Sequence, residues 1–197
     1  MSVRSAAIAL SLLLLAACSA PPAGPYTGTD LTGVSYGRSL DLEDTQGRPR
    51  GLGDFRGRYV LLSFGYTHCP EVCPTSLLKA AQIRRALGAD GERLQIVFVT
   101  VDPKRDTGEI LEQYVGAFGG DIMALRGDAM QTRLAAQSFR VTYREVPTSS
   151  SYAMDHTMVN YLIDPDGRLR LAFQYDQPAD AMVDDIRLAM TPAHAAG

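Results

Sequence analysis

Seven consecutive residues, Tyr59-Val60-Leu61-Leu62-Ser63-Phe64-Gly65, are apolar almost without interruption and are bounded by turn formers. A strand with one wet face alternates apolar and polar side chains, so a continuous run of this length predicts a strand buried on both faces of a sheet. Leu94 to Val101 repeats the pattern. Between the two, Ser76 to Leu87 has helical spacing, with Leu77, Leu78, Ala81 and Leu87 on related faces and Pro74 suited to the first turn. Thr107 to Phe118 predicts a second helix, Ile122 to Leu125 a further strand, and Asp128 to Phe139 another amphipathic segment. Met158 to Ile163 and Leu169 to Phe173, joined by Asp164-Pro165-Asp166-Gly167, read as an antiparallel hairpin, and Ala179 to Met190 as a closing helix.

This order implies an α/β domain with a central sheet flanked by helices on both faces, the thioredoxin-like arrangement. Ser39 to Leu42 and Arg48 to Leu52, turned at Gln46-Gly47, add an extra N-terminal β-hairpin. The 197 residues suffice for one globular domain and are too few for two large ones. With 19 basic and 22 acidic residues the formal charge is -3, which excludes a globally basic nucleic-acid binder and an acidic disordered chain.

The start of the chain reads as a targeting segment. Arg4 precedes the apolar run Ala6 to Ala17, too short for a bilayer-spanning helix, and the run ends Leu15-Ala16-Ala17-Cys18. That ending resembles a bacterial lipobox, whose cysteine is lipidated and becomes the first mature residue. The expected organisation is therefore a lipoprotein signal peptide at 1–17, a lipidated Cys18 with a Pro-, Gly- and Ser/Thr-rich flexible tether through residue 33, and one domain from 34 to 197. Its expected place is the extracytoplasmic, periplasmic side of a bacterial membrane, held by lipid.

An exported protein normally has an even number of cysteines, and this chain has three. Assigning Cys18 to lipid leaves Cys69 and Cys73, between the buried strand and the helix. Their spacing is one residue longer than a thioredoxin redox motif. If both lie in the first helical turn, their sulfurs project from one face and can converge on one ion. The positive helix N-terminus favours thiolate, and Glu71 opposes it. A loop disulfide is the structural alternative.

Of three histidines, His68 adjoins Cys69, His194 is near the C-terminus, and His156 precedes the strand Met158 to Ile163. In a thioredoxin-like sheet the loop entering that strand lies beside the cysteine loop, so His156 can face the sulfurs. Two thiolates and an imidazole form a soft donor set suited to Cu(I).

Three separated motifs, Gly65-Tyr66-Thr67-His68-Cys69-Pro70-Glu71-Val72-Cys73-Pro74, Val101-Asp102-Pro103-Lys104-Arg105-Asp106-Thr107, and Asp155-His156 followed by Tyr161 to Gly167, resemble the SCO/SenC family of copper-handling proteins. The resemblance runs from about Leu40 to Met190. It implies copper, as Cu(I) or Cu(II), held by Cys69, Cys73 and His156. It also implies a role at the dinuclear copper site of cytochrome c oxidase subunit II, by delivering copper or by reducing that site's cysteines. Another periplasmic copper chaperone and a thiol reductant are the further partners it brings.

Two thiolates on Cu(I) already carry net charge -1, so Asp102, Asp106 and Asp155 are expected beside the site or facing a partner, not on the metal; turn and N-cap roles are the alternative for Asp102 and Asp106. Met154 and Met158 flank His156 and could supply a thioether; core packing is the expected role. Zinc would accept the same three ligands with a water, and the export route and the resemblance favour copper. A general thiol-disulfide oxidoreductase with Cys69 and Cys73 as catalytic pair is the competing function. A thiol peroxidase would need Pro at position 62 and Thr at 66, where the chain has Leu62 and Tyr66.

Overall fold

The computed structural model describes residues 24–119 and 121–191. The expected signal peptide, Cys18, the first part of the tether and His194 lie outside the described residues. Among the described residues no helix is long and apolar enough to cross a membrane.

In chain order the elements are β1 (Thr29–Asp30), β2 (Asp41–Asp44), β3 (Pro49–Gly51), β4 (Tyr59–Gly65), α1 (Val72–Ala86), β5 (Leu94–Thr100), α2 (Gly108–Gly116), β6 (Ile122–Arg126), α3 (Ala129–Ser138), β7 (Tyr143–Pro147), β8 (Tyr152–His156), β9 (Val159–Ile163), β10 (Leu169–Gln174) and α4 (Ala179–Met190). One sheet takes the order β1-β10-β9-β4-β5-β6-β2-β3, and β7 pairs with β8 in a separate two-stranded ribbon. β4, β5 and β6 are parallel, β9 runs antiparallel to β4, and the β2–β3 hairpin extends the sheet beyond β6. This is the thioredoxin-like arrangement expected, with its additional hairpin.

The apolar runs explain the layers. Along β4 and β5, Tyr59, Leu61, Leu94 and Ile96 point to one face, where Ala80 and Ile83 of α1 meet Met182 and Ile186 of α4. Val60, Leu62 and Phe64 point to the other, where Phe64 packs against Phe139 at the end of α3, the ring centres 5.7 Å apart. Each fully buried Leu or Phe contributes roughly 1.5–3 kcal/mol, so these two layers and not the short edge strands carry the stability.

Three expectations are corrected. α1 begins at Val72, four residues before Ser76, because its first turn (Val72-Cys73-Pro74-Thr75) lacks the apolar periodicity that marks the rest. Leu78 is 49% exposed, since a one-residue step from the buried Leu77 turns it about 100° round the helix. The folded domain also starts earlier than residue 34. The Thr27 and Gly28 amides donate to the buried Asp185 carboxylate of α4 at 3.0 and 2.7 Å, Thr29 and Asp30 pair with β10, and Leu31 is buried.

Candidate metal centre

The cysteine loop is positioned by the end of β4. A Cβ on Gly65 would lie 2.6 Å from the Phe98 ring and 2.8 Å from the Cys73 sulfur, so the absent side chain lets both pack against the strand. The loop that follows is held by Asp106, which is wholly buried. Its carboxylate accepts from the Thr67 amide at 3.1 Å, the Thr67 hydroxyl at 2.6 Å and the Thr100 hydroxyl at 2.5 Å. Thr107, not Asp106, caps α2, its hydroxyl accepting from the Ile110 amide. Asp106 therefore fastens the cysteine loop to β5 and is no metal-facing group.

Cys69 and Cys73 do not share a helical turn as expected. Cys73 lies in the first turn of α1, whereas Cys69 precedes the helix, and its sulfur accepts the Cys73 amide at 3.3 Å. The Glu71 side chain makes no cap hydrogen bond, so the Cys69 sulfur fills that role for an amide the helix cannot satisfy. Both cysteines are free thiols, Cys69 half-buried and Cys73 buried. The Cys73 thiol donating to Cys69, helped by the amides of Cys73, Glu71 and Val72, overcomes burial and holds Cys69 down at about 5. The same sharing, with burial, pushes the Cys73 thiol far up. One proton is thus held on the buried sulfur, and the more accessible one is thiolate at neutral pH.

His156 arrives from the ribbon, a strand where the sequence reading placed a loop. It is the last residue of β8, opposite Tyr143 of β7. Its Nδ1 lies 3.0 Å from the Thr157 carbonyl oxygen. A carbonyl only accepts, so Nδ1 is the donor, and of the two neutral tautomers this contact selects the one with the lone pair on Nε2. That Nε2 lies 3.9 Å from the Cys73 sulfur. The Tyr66 ring meets the imidazole edge-on, with centres 6.0 Å apart. A cavity of about 20 Å³, bordered by Cys73, His156, Met158 and Phe98, sits between the elements. Its size suits a single small ion or water.

Cys73 is thus the common neighbour of Cys69 and His156. Among the described residues, no three His, Cys, Asp or Glu side chains already enclose one point. The donor set fits a soft ion chemically: one thiolate, one buried thiol whose proton an incoming metal must displace, and one imidazole that turns Nε2 to the sulfur. A more open concavity of about 420 Å³ borders Gln95, Glu112 and Met123 at the other end of β5 and contains neither cysteine nor His156.

The remaining candidates separate. His68 is exposed and turns to the Asp106 carboxylate at 3.9 Å. Asp155 pairs with Arg144 at 2.7 Å on the ribbon's outer face. Asp102 is buried and binds Arg105 and the Tyr152 hydroxyl. Met154 is buried as expected, whereas Met158 is 46% exposed. Sequence reasoning missed Tyr66, Arg105 and Tyr152, although the first two fall inside motifs it singled out. Their signal was only their company, because an aromatic and a base in loops have many uses.

The sheet order and the dithiol at the junction of a buried strand and a helix define a thioredoxin-like protein. Within that class the chain belongs to the SCO1/SenC family, whose model matches residues 29–191. The mitochondrial SCO2 homologue of Homo sapiens is 39% identical over 153 residues, 76% of this chain and 58% of that one. The chain spans about three fifths of the length of the mammalian relatives it matches. Bradyrhizobium japonicum ScoI with copper bound superposes with a TM-score of 0.71 and 36% identity, covering 78% of this chain and 99% of that one. Apo Sco1 from Thermus thermophilus gives a TM-score of 0.76 and 35% identity over 84% of this chain and 97% of that one.

Proposed function

We propose that the protein is a membrane-anchored, extracytoplasmic copper carrier that binds one copper through Cys69, Cys73 and His156 Nε2 and serves cytochrome c oxidase subunit II during assembly. The observation that carries the reading is the imidazole with Nδ1 committed to Thr157 and Nε2 turned to the Cys73 sulfur at 3.9 Å. Copper bound to the similar ScoI supports it. Copper is cargo here, passed to the dinuclear site or exchanged with another periplasmic copper chaperone. Two thiolates satisfy Cu(I), whereas Cu(II) gains more from the imidazole. Lipid on Cys18 would supply the anchor.

The test titrates the wild type and the Cys69→Ser, Cys73→Ser and His156→Ala variants with Cu(I) and Cu(II). Either serine variant is expected to lose tight binding of both ions and the thiolate-to-Cu(II) charge-transfer band. His156→Ala is expected to weaken Cu(II) more than Cu(I). Full copper affinity without either cysteine would defeat the assignment.

The half-buried, low-pKa Cys69 beside a buried Cys73 favours a second reading, reduction of the cysteines of subunit II. The Cys69 thiolate attacks a target disulfide and releases one target thiolate; Cys73 then attacks the mixed disulfide and releases the second. The domain ends as a Cys69–Cys73 disulfide that an external thiol reductant must restore. Mixing copper-loaded and metal-free reduced forms separately with an oxidised subunit II fragment distinguishes the readings: copper in the target marks delivery, and target thiols without copper mark reduction.

A further inference from the structure

The two halves of the copper site are carried by different supports. The cysteines follow a strand of the main sheet, whereas β7 and β8 pair only with each other among the described residues. The position of His156 therefore depends on side chains joining the ribbon to the body. Met154 supplies an apolar anchor, and most of the polar attachment converges on the loop between β5 and α2.

We infer that Arg105 is a positioning residue that holds the His156 ribbon in register with the cysteine loop. Its Nη1 donates to the Tyr152 carbonyl at 2.8 Å, and its guanidinium lies 3.7 Å from the centre of the Tyr152 ring. Its Nε donates to one oxygen of the buried Asp102, whose other oxygen accepts from the Tyr152 hydroxyl at 2.9 Å. Arginine and carboxylate thus grip Tyr152 at its backbone, ring and hydroxyl, four residues before His156. On the same guanidinium, 5.8 Å from its carbon, lies the ring of Tyr66, the residue that meets the His156 imidazole edge-on.

The grip continues into the cysteine loop. The Asp102 amide donates to the Thr100 hydroxyl, that hydroxyl donates to Asp106, and Asp106 holds Thr67. A chain of polar contacts, buried at Thr100 and part-buried at both ends, therefore runs from the β8 ribbon to Thr67, two residues before Cys69. Lysine would keep the charge opposite Asp102 but lacks the planar fork that binds Asp102 and the Tyr152 carbonyl while stacking on the ring.

This inference rests on the copper reading above and sharpens it by predicting oxidation-state selectivity. If Arg105 acts through His156, its loss weakens the ion that needs the imidazole and spares the ion served by two thiolates. The experiment measures Cu(II) and Cu(I) affinities and the Cu(II) charge-transfer spectrum of the wild type, Arg105→Ala, Arg105→Lys, His156→Ala and His156→Ala/Arg105→Ala, with folding checked by circular dichroism. Arg105→Ala is expected to bind Cu(II) about 10- to 100-fold more weakly, the usual effect of removing a group that orients a metal ligand. Its band should shift, with Cu(I) affinity close to wild type, and Arg105→Lys should show a smaller change in the same direction. In the His156→Ala background, removing Arg105 should add nothing.

A wild-type Cu(II) spectrum and affinity in folded Arg105→Ala overturns the inference, as does an equal further loss in the His156→Ala background. If Arg105→Ala does not fold, Arg105→Lys decides by the same comparison, wild-type Cu(II) binding again overturning it. If His156→Ala itself binds Cu(II) like wild type, the copper-site reading falls, and the inference with it.

Discussion

β4 and the β7–β8 ribbon present opposite solutions to holding a side chain in place. Every residue of β4 but Ser63 is buried, and β5 and β9 fix it by backbone hydrogen bonds on both sides. In the ribbon only Met154 is buried, and each strand has one partner. The sheet delivers the cysteine loop through backbone geometry that few side-chain changes alter. The ribbon delivers His156 through a few side-chain contacts, each of which can be removed singly. On the copper reading proposed above, the thiolates that serve both oxidation states sit on the rigid support, and the imidazole that discriminates between them on the tunable one.

The largest departure is expected where the rigid half leaves no room. Gly65→Ala forces a methyl to within 3 Å of Phe98 and the Cys73 sulfur, and should lower the unfolding free energy by about 1–3 kcal/mol in urea melts while weakening Cu(I) binding. Unchanged stability and copper binding would mean that the strand end gives way more easily than described. Next is the thiol pair. Alkylation of Cys69 by iodoacetamide in the metal-free protein should be half-maximal near pH 5, with Cys73 unreactive across the range. A free thiol titrates near pH 8.5, so the folded value is depressed. The thiolate's contribution to stability is then full above about pH 8.5 and is lost as pH falls through about 5. A midpoint near that of a free thiol would show that Cys73 and the helix amides do not stabilise the anion. The smallest effect belongs to the ribbon's outer fastening. Lys104→Ala removes an exposed, solvent-screened ion pair with Glu145 and should leave the urea midpoint and the Cu(II) spectrum at their wild-type values, in contrast to Arg105, which is largely covered.

The same contrast explains what could be read from the chain. β4, β5, β9 and β10 are buried strands whose apolar runs announce them, and α3 starts where Asp128 caps the Met130 and Gln131 amides. The ribbon was invisible, because Tyr143-Arg144-Glu145-Val146-Pro147 carries two charges and a proline and turns no regular face to the core. The three proposed ligands were legible from residue type and from the resemblance. Their supports were not, because Asp106 and Asp102 act through distant partners: Thr67 is 39 positions from Asp106, and Tyr152 is 50 from Asp102. Cys69 outside the helix was equally hidden, since a sulfur standing in for a capping oxygen leaves no pattern in the sequence.

The short pairing of β1 with β10 also sets an orientation. Thr29 lies opposite Ala172, Ala172 opposite Tyr161, and Tyr161 opposite Leu62, three residues before the end of β4. One step toward the N-terminus, Gly28 abuts Phe173, and Phe173 aligns through Asn160 with Ser63. Thr27 then receives a hydrogen bond from Gln177, beyond the end of β10. Moving backward along the chain is therefore moving toward the end of the sheet that bears the dithiol. The point where the described chain enters the fold and the dithiol thus share one pole of the domain, so whatever holds the entry segment also sets which way the sulfurs face.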